Sequence, residues 1–172
     1  MKFIASLDKL AKTITISLTA LFTLIMAFPY FLDSTYVTES ETLGITLFLL
    51  FMYLGLFIFR PISYSITDQE VIIYRLWKDV KISRKDIESV ELLDKNFSEN
   101  TFRTNGVGGA WGYFGTFSHS SIGDMTWYVT RRDKLVLLRI LGNKKIVLSP
   151  DEVEGFAGEL SESPQKSRPQ TF

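Results

Sequence analysis

In LFIFRPISYSITDQEVIIYR, residues 56–75, the chain changes solvent. Everything before Arg60 in this stretch is apolar, whereas after Pro61 the residues Ile62, Tyr64 and Ile66 alternate with Ser63, Ser65 and Thr67. A period of two sends alternate side chains to opposite faces of a strand, so that one face can be buried. Asp68, Gln69 and Glu70 then read as a turn, and residues 71–77, rich in β-branched and aromatic side chains, read as a second strand. An apolar run of helical length therefore ends two residues before a β-hairpin.

Upstream the apolar character continues. Residues 14–32 and 42–59 contain no charged side chain, and each run approaches the length an α-helix needs to cross a hydrocarbon core of about 30 Å. The first run is too long for the core of a signal peptide, and Ala27-Phe28-Pro29-Tyr30 lacks the small-x-small pattern of a cleavage site. Two retained spans are predicted, within an N-terminal segment of residues 1–60.

Charge orients them. Lys2, Lys9 and Lys12 precede the first run and Arg60 follows the second, while the connecting loop carries Asp33, Glu39 and Glu41 with no basic residue. Positive flanks stay inside, which predicts a multi-pass protein of the bacterial cytoplasmic membrane with both termini in the cytoplasm. The absence of cysteine is consistent with a reducing compartment.

Within the spans, Thr15, Thr19 and Thr23 recur every four residues, and Gly44 and Gly55 lie three turns apart on one face. Small residues let helices approach closely, which makes these five the expected packing positions. Neither span holds an ionisable group of the kind a transport pathway requires, so the hairpin reads as an anchor.

The remainder is mostly strand. After residues 80–82 a single helical turn is expected at residues 83–86, then strands over residues 87–93, 125–130, 135–140 and 145–148, the last two joined by the tight-turn pair Gly142-Asn143. The period then changes. Val153, Phe156, Ala157 and Leu160 make one apolar stripe, and Ser149-Pro150-Asp151-Glu152 reads as a helix start with serine as N-cap. Residues 162–172 carry no periodic apolar residue and read as a disordered tail. A cytoplasmic domain over residues 61–161 results, an antiparallel β-barrel or sandwich capped by a C-terminal helix.

Over residues 60–160 the chain resembles the membrane-anchored bacterial PH-like (pleckstrin-homology-like) proteins. The resemblance rests on ITDQEVIIYR, ISRKDIESV, GVGGAWGYFG and SPDEVEGF. It implies a non-enzymatic interaction module that docks a protein partner or senses the inner membrane surface. It departs from the inositide-binding PH domains at the loop of residues 67–70, which is acidic where theirs is basic. Carboxylates repel phosphate, which argues against phosphoinositide recognition there. Basic residues elsewhere, such as Arg131, Arg132 and Lys134, leave weak attraction to anionic lipid open. With a formal net charge of zero, nucleic-acid binding is not supported.

The run GVGGAWGYFGTFSHSSIG, residues 106–123, concentrates six glycines with Trp111, Tyr113, Phe114 and Phe117. It opens no amphipathic helix, so the glycines do not make a dinucleotide loop. Two readings stay open: bulges and close backbone approach covered by rings, or an aromatic loop whose four rings contact lipid or a partner peptide. His119 is the only histidine and there is no cysteine, so the sequence offers neither a catalytic constellation nor a metal site, and no cofactor is expected. An alternative role is a structural subunit assembled through the helical hairpin.

Overall fold

The computed structural model describes residues 1–31 and 38–162. Asp33 of the connecting loop and the tail expected over residues 162–172, beyond Glu162, lie outside them. A short strand β1 (Lys2–Ile4) precedes two helices, α1 (Lys9–Ala27) and α2 (Glu39–Ile58). Then come β2 (Pro61–Ile66), β3 (Glu70–Arg75), β4 (Val80–Ser83), β5 (Ile87–Leu93), β6 (Thr101–Gly109), β7 (Gly112–His119), β8 (Gly123–Val129), β9 (Leu135–Ile140), β10 (Lys144–Leu148) and α3 (Val153–Ser161).

Both long helices are long and apolar enough to cross a membrane, by length and composition, over Lys9–Phe31 and Glu39–Ile58. Each starts at a side-chain cap. Asp8 Oδ1 accepts from the Ala11 amide at 2.6 Å, and Thr38 and Glu41 form a reciprocal capping box that satisfies amides left open by the first turn. Their apolar side chains stay uncovered; Phe51 is 75 % and Leu24 68 % exposed. A soluble monomer rarely presents so continuous an apolar surface.

The strands form two sheets, in the orders β1-β2-β3-β4 and β5-β9-β10-β8-β7-β6. The expected barrel does not close. The chain changes sheet at a 3₁₀ turn, Arg84–Asp86, where the Arg84 guanidinium donates to the carbonyls of Thr67, Glu159 and Leu160. β4 and β5 consequently part there instead of pairing, and the product is a sandwich with open edges. The sheet is also not wholly antiparallel, since β10 inserts between β9 and β8 and runs parallel to β8. The loop from Thr130 to Lys134 bridges the slot that β10 fills.

Ser149, at the end of β10, is fully buried under that bridge and its Oγ accepts from the Thr130 amide at 2.8 Å. This is why the expected N-cap at Ser149 fails. The hydroxyl is already committed, α3 starts four residues later at Val153, and Glu152 caps it without a side-chain hydrogen bond. Asp151 instead binds Ser6 and Arg131.

β9 explains the layering. Val136, Leu138 and Ile140 face one core, with Tyr64, Val71 and Ile73 of the first sheet and Phe156 and Leu160 of α3. Leu135 and Leu137 face a second core with Tyr113, Phe117, Trp127 and Val129, closed by Ala11 of α1. A strand covered on both faces reads as a continuous apolar run rather than an alternating one. The first core also includes the chain's N-terminus: Phe3 sits 5.2 Å from the Phe156 ring, edge to face, while β1 pairs with β2 through Phe3 and Tyr64.

Candidate functional site

The glycine-rich run is not an irregular loop but the β6–β7 hairpin, turning at Ala110-Trp111. Gly106 lies opposite Gly115, with φ values of 123° and 125°. A Cβ on Gly106 would overlap the Phe114 carbonyl oxygen, and one on Gly115 the Asn105 carbonyl oxygen. Only glycine accepts this combination of positive φ and backbone contact.

The hairpin separates the four aromatic residues singled out in the sequence. Tyr113 and Phe117 point into the second core, where Phe117 stacks on Trp127 at 4.5 Å between ring centroids. Phe114 is also buried, with Val107 and Tyr128 as its cross-strand neighbours. All three are buried, so they do not form an exposed aromatic loop.

Trp111, at the tip with φ of 58°, meets both long helices. Its amide donates to Thr15 Oγ1 at 2.9 Å, and its ring stands edge-on to Phe57 at 4.8 Å and to Tyr53 at 6.0 Å. The Arg60 guanidinium lies over the same indole and over the Phe57 ring, at 5.3 and 5.5 Å. Burial lowers the pKa of Arg60 from its ordinary value.

The threonine stripe is a connection between helices. Thr19 Oγ1 donates to the Thr15 carbonyl and lies 2.7 Å from the Tyr53 hydroxyl, which donates to it, while Thr23 turns back to the Thr19 carbonyl. At Gly44 and Gly55 an added Cβ would meet nothing within 4 Å, so neither glycine is a contact between the helices. Phe22 and Tyr53, with rings 5.6 Å apart, meet between them instead.

A second apolar feature lies at this end of the domain, and sequence reading missed it. β2 begins directly after Arg60, and its first residue, Pro61, pairs with Arg75, the last residue of β3. The turn after β3 is thereby held beside the end of α2. It presents Leu76 and Trp77, 53 % and 73 % exposed. Arg75 fixes its shape: its Nε donates to the Lys78 carbonyl at 2.8 Å, and its amide donates to Asp79 Oδ1. The signal was two large apolar residues between strands, hidden when residues 71–77 are read as one continuous strand. The acidic turn at residues 67–70 closes on itself through Thr67 and Glu70, at the opposite end of β2 and β3.

The family model described as bacterial PH domain matches residues 62–163, more than half of the chain. The chain belongs to the bacterial PH domain family. No curated protein and no solved structure matches it. Membership makes this PH domain a protein- or lipid-interaction module. The matched segment begins at Ile62 and so leaves out β1, which the PH domain nevertheless uses as an edge strand. His119 in this PH domain stacks on Phe97 at 4.2 Å and accepts the Ser121 amide on Nδ1. No group of three metal-ligating side chains occurs among the described residues.

Proposed function

We propose that the protein is a membrane-anchored PH module that works at the inner surface of the cytoplasmic membrane, with the α1–α2 hairpin as its anchor and the end of the domain nearest the hairpin as its lipid-sensing face. The observation that carries this reading is the pairing of Pro61 with Arg75. If α2 spans the bilayer, Pro61 leaves it at the interface, and the pairing holds Leu76 and Trp77 at the same level. Tryptophan belongs at that level, with an apolar ring and a polar N–H. Arg60, Arg75 and Lys78 add positive charge, each worth about 1 kcal/mol beside anionic lipid.

The docking of a protein partner is the second reading, favoured by a separate feature. β5 is an edge strand, and a groove of about 240 Å³ runs between it and the end of α3, lined by Arg84, Val90 and Leu160. An unpaired strand edge beside a groove suits an added peptide strand.

The lack of cysteine allows a direct test on the full chain in liposomes. Trp77→Cys, Phe51→Cys and Gln69→Cys each give one fluorophore position, read against quenchers placed at the headgroup or deep in the acyl chains. The expected pattern is shallow quenching at 77, deep quenching at 51 and none at 69. Deep quenching at 51 without shallow quenching at 77 removes the lipid-facing turn but leaves the anchor. No quenching at 51 removes the anchor itself.

A further inference from the structure

A cavity of about 290 Å³ opens beside the second core, between the β6–β7 hairpin and the 3₁₀ segment Lys95–Asn100. Of the polar side chains that line it, Arg103, Arg132, Trp127 and Ser98 offer hydrogen-bond donors, whereas the Thr101 hydroxyl already donates to the Phe97 carbonyl and the Tyr113 hydroxyl to Asp8. No carboxylate is among the lining residues. Phe117 and Gly108 complete the wall, and the Arg103 side chain lies across Gly108, with Nη1 3.2 Å from where a Cβ would stand.

Two of these donors are unsatisfied. Trp127 is 1 % exposed, and its indole N–H has no acceptor among the described residues. The Nε of Arg132 is buried and equally without one. A buried donor without a partner is destabilising, and an acceptor in the cavity would remove that cost. Neither Arg103 nor Arg132 forms an ion pair among the described residues. The Arg132 guanidinium rests 5.1 Å over the Tyr113 ring.

Asp8 contacts the lining residue Tyr113, and its oxygens are engaged by other groups as well. Oδ1 caps α1 through the Ala11 amide, Oδ2 accepts from the Arg132 backbone amide at 3.1 Å, and the Tyr113 hydroxyl reaches both oxygens only at 3.4 Å. Among the described residues Asp8 forms no ion pair with either guanidinium group.

From this lining we infer that the cavity is a binding site for a phosphate group, with Arg103 and Arg132 as the charged clamp and the Trp127 N–H as a neutral donor. Phosphate offers several acceptor oxygens and matches the guanidinium fork. The site is built within the PH domain, so it does not depend on whether the helices span a membrane. It is also separate from the acidic turn at residues 67–70 and from the Leu76-Trp77 turn.

The test uses the full chain in detergent micelles, titrated with inorganic phosphate at constant ionic strength, with chloride as reference, following the thermal midpoint and the heat of binding. The expected result is saturable binding and a raised midpoint, with affinity at least about tenfold weaker in Arg103→Gln, which loses one charge-assisted contact. Arg103 is on the surface and its replacement leaves the core intact; Arg132→Gln should weaken phosphate similarly, and Lys81→Gln, on the other sheet, should not.

Two arms separate the sources of the phosphate. In nanodiscs, a response to added phosphate in phosphatidylcholine discs assigns the site to a soluble ligand. A midpoint raised by phosphatidate alone, and restored to the phosphatidylcholine value by Arg103→Gln, assigns it to a headgroup. Absence of saturable binding in micelles together with no phosphatidate effect overturns the inference. So does binding that Arg103→Gln and Arg132→Gln both leave unchanged.

Discussion

The guanidinium of Arg60 lies 5.3 Å from the centre of the Trp111 indole, joining the residue that follows α2 to the tip of the β6–β7 hairpin. A cation over an aromatic face contributes about 0.5–2 kcal/mol, the upper part of the range when desolvated. The Arg60 side chain is partly buried and its Nε has no acceptor among the described residues. In a double-mutant cycle of Arg60→Gln and Trp111→Leu, denaturation of the full chain in detergent should report a coupling of about 1 kcal/mol. Strictly additive losses would mean that the two side chains are neighbours without interacting.

Gly106→Ala and Gly115→Ala should each destabilise the domain by roughly 1–3 kcal/mol or more, because each adds a Cβ where φ is positive and a carbonyl oxygen already stands. Gly158→Ala should do the reverse. Its Cβ would meet nothing within 4 Å and its helix would gain up to about 1 kcal/mol. Thermal midpoints of the three variants decide this, and equal midpoints for all would contradict the hairpin geometry.

Phe3→Ala should cost about 3–5 kcal/mol, the usual range for a large aromatic removed from a core, since Phe3 is 5 % exposed and packs on Phe156. Ile4→Ala on the same strand is the control, because Ile4 is 67 % exposed. Similar small losses at both positions would place β1 outside the folded unit.

Acid should weaken the junction between the N-terminal segment and the loop after β8. Burial raises the Asp151 pKa, but hydrogen bonds from Ser6 and the Arg131 guanidinium outweigh it and hold the value below the usual carboxylate range. The Arg131 hydrogen bond lowers Asp133 in the same way. A depressed folded-state pKa contributes stability that is complete above the unfolded value, about 3.9, and is lost as pH falls through the folded one. Asp151→Asn should therefore cost about 1–2 kcal/mol at neutral pH, with the gap to the unaltered protein narrowing below about pH 4. A gap independent of pH would assign the loss to packing alone.

What the sequence made legible was local. The strand at residues 62–66, the Gly142-Asn143 turn and the helical stripe of Val153, Phe156 and Leu160 are each present, although a register shift between Pro61 and Ser63 breaks the expected alternation and leaves Ile62 exposed and Ser63 buried. β1 escaped because three residues are too few to show a period. β6 and β7 escaped because their glycines carry no side chain to alternate, although the mirror-image φ at Gly106 and Gly115 still permits pairing. The insertion of β10 between β9 and β8 is a choice of partner made by packing, and no local pattern records it. At the site, the company of glycines singled out Trp111 as a lipid or partner contact, and spacing singled out Thr15 and Thr19 as helix-packing positions. The contact between Trp111 and Thr15 was in neither reading, because ninety-six positions of chain separate them.

β1 and β2 are partners in one sheet, yet the whole of α1 and α2 lies between them along the chain. Two strands can zip together only in a common compartment. Whatever barrier the helices encounter, the polypeptide must come back through it as often as it goes out, so a mutant in which a single helix inserts would strand β1 from its partner and leave Tyr64 without Phe3 beside it.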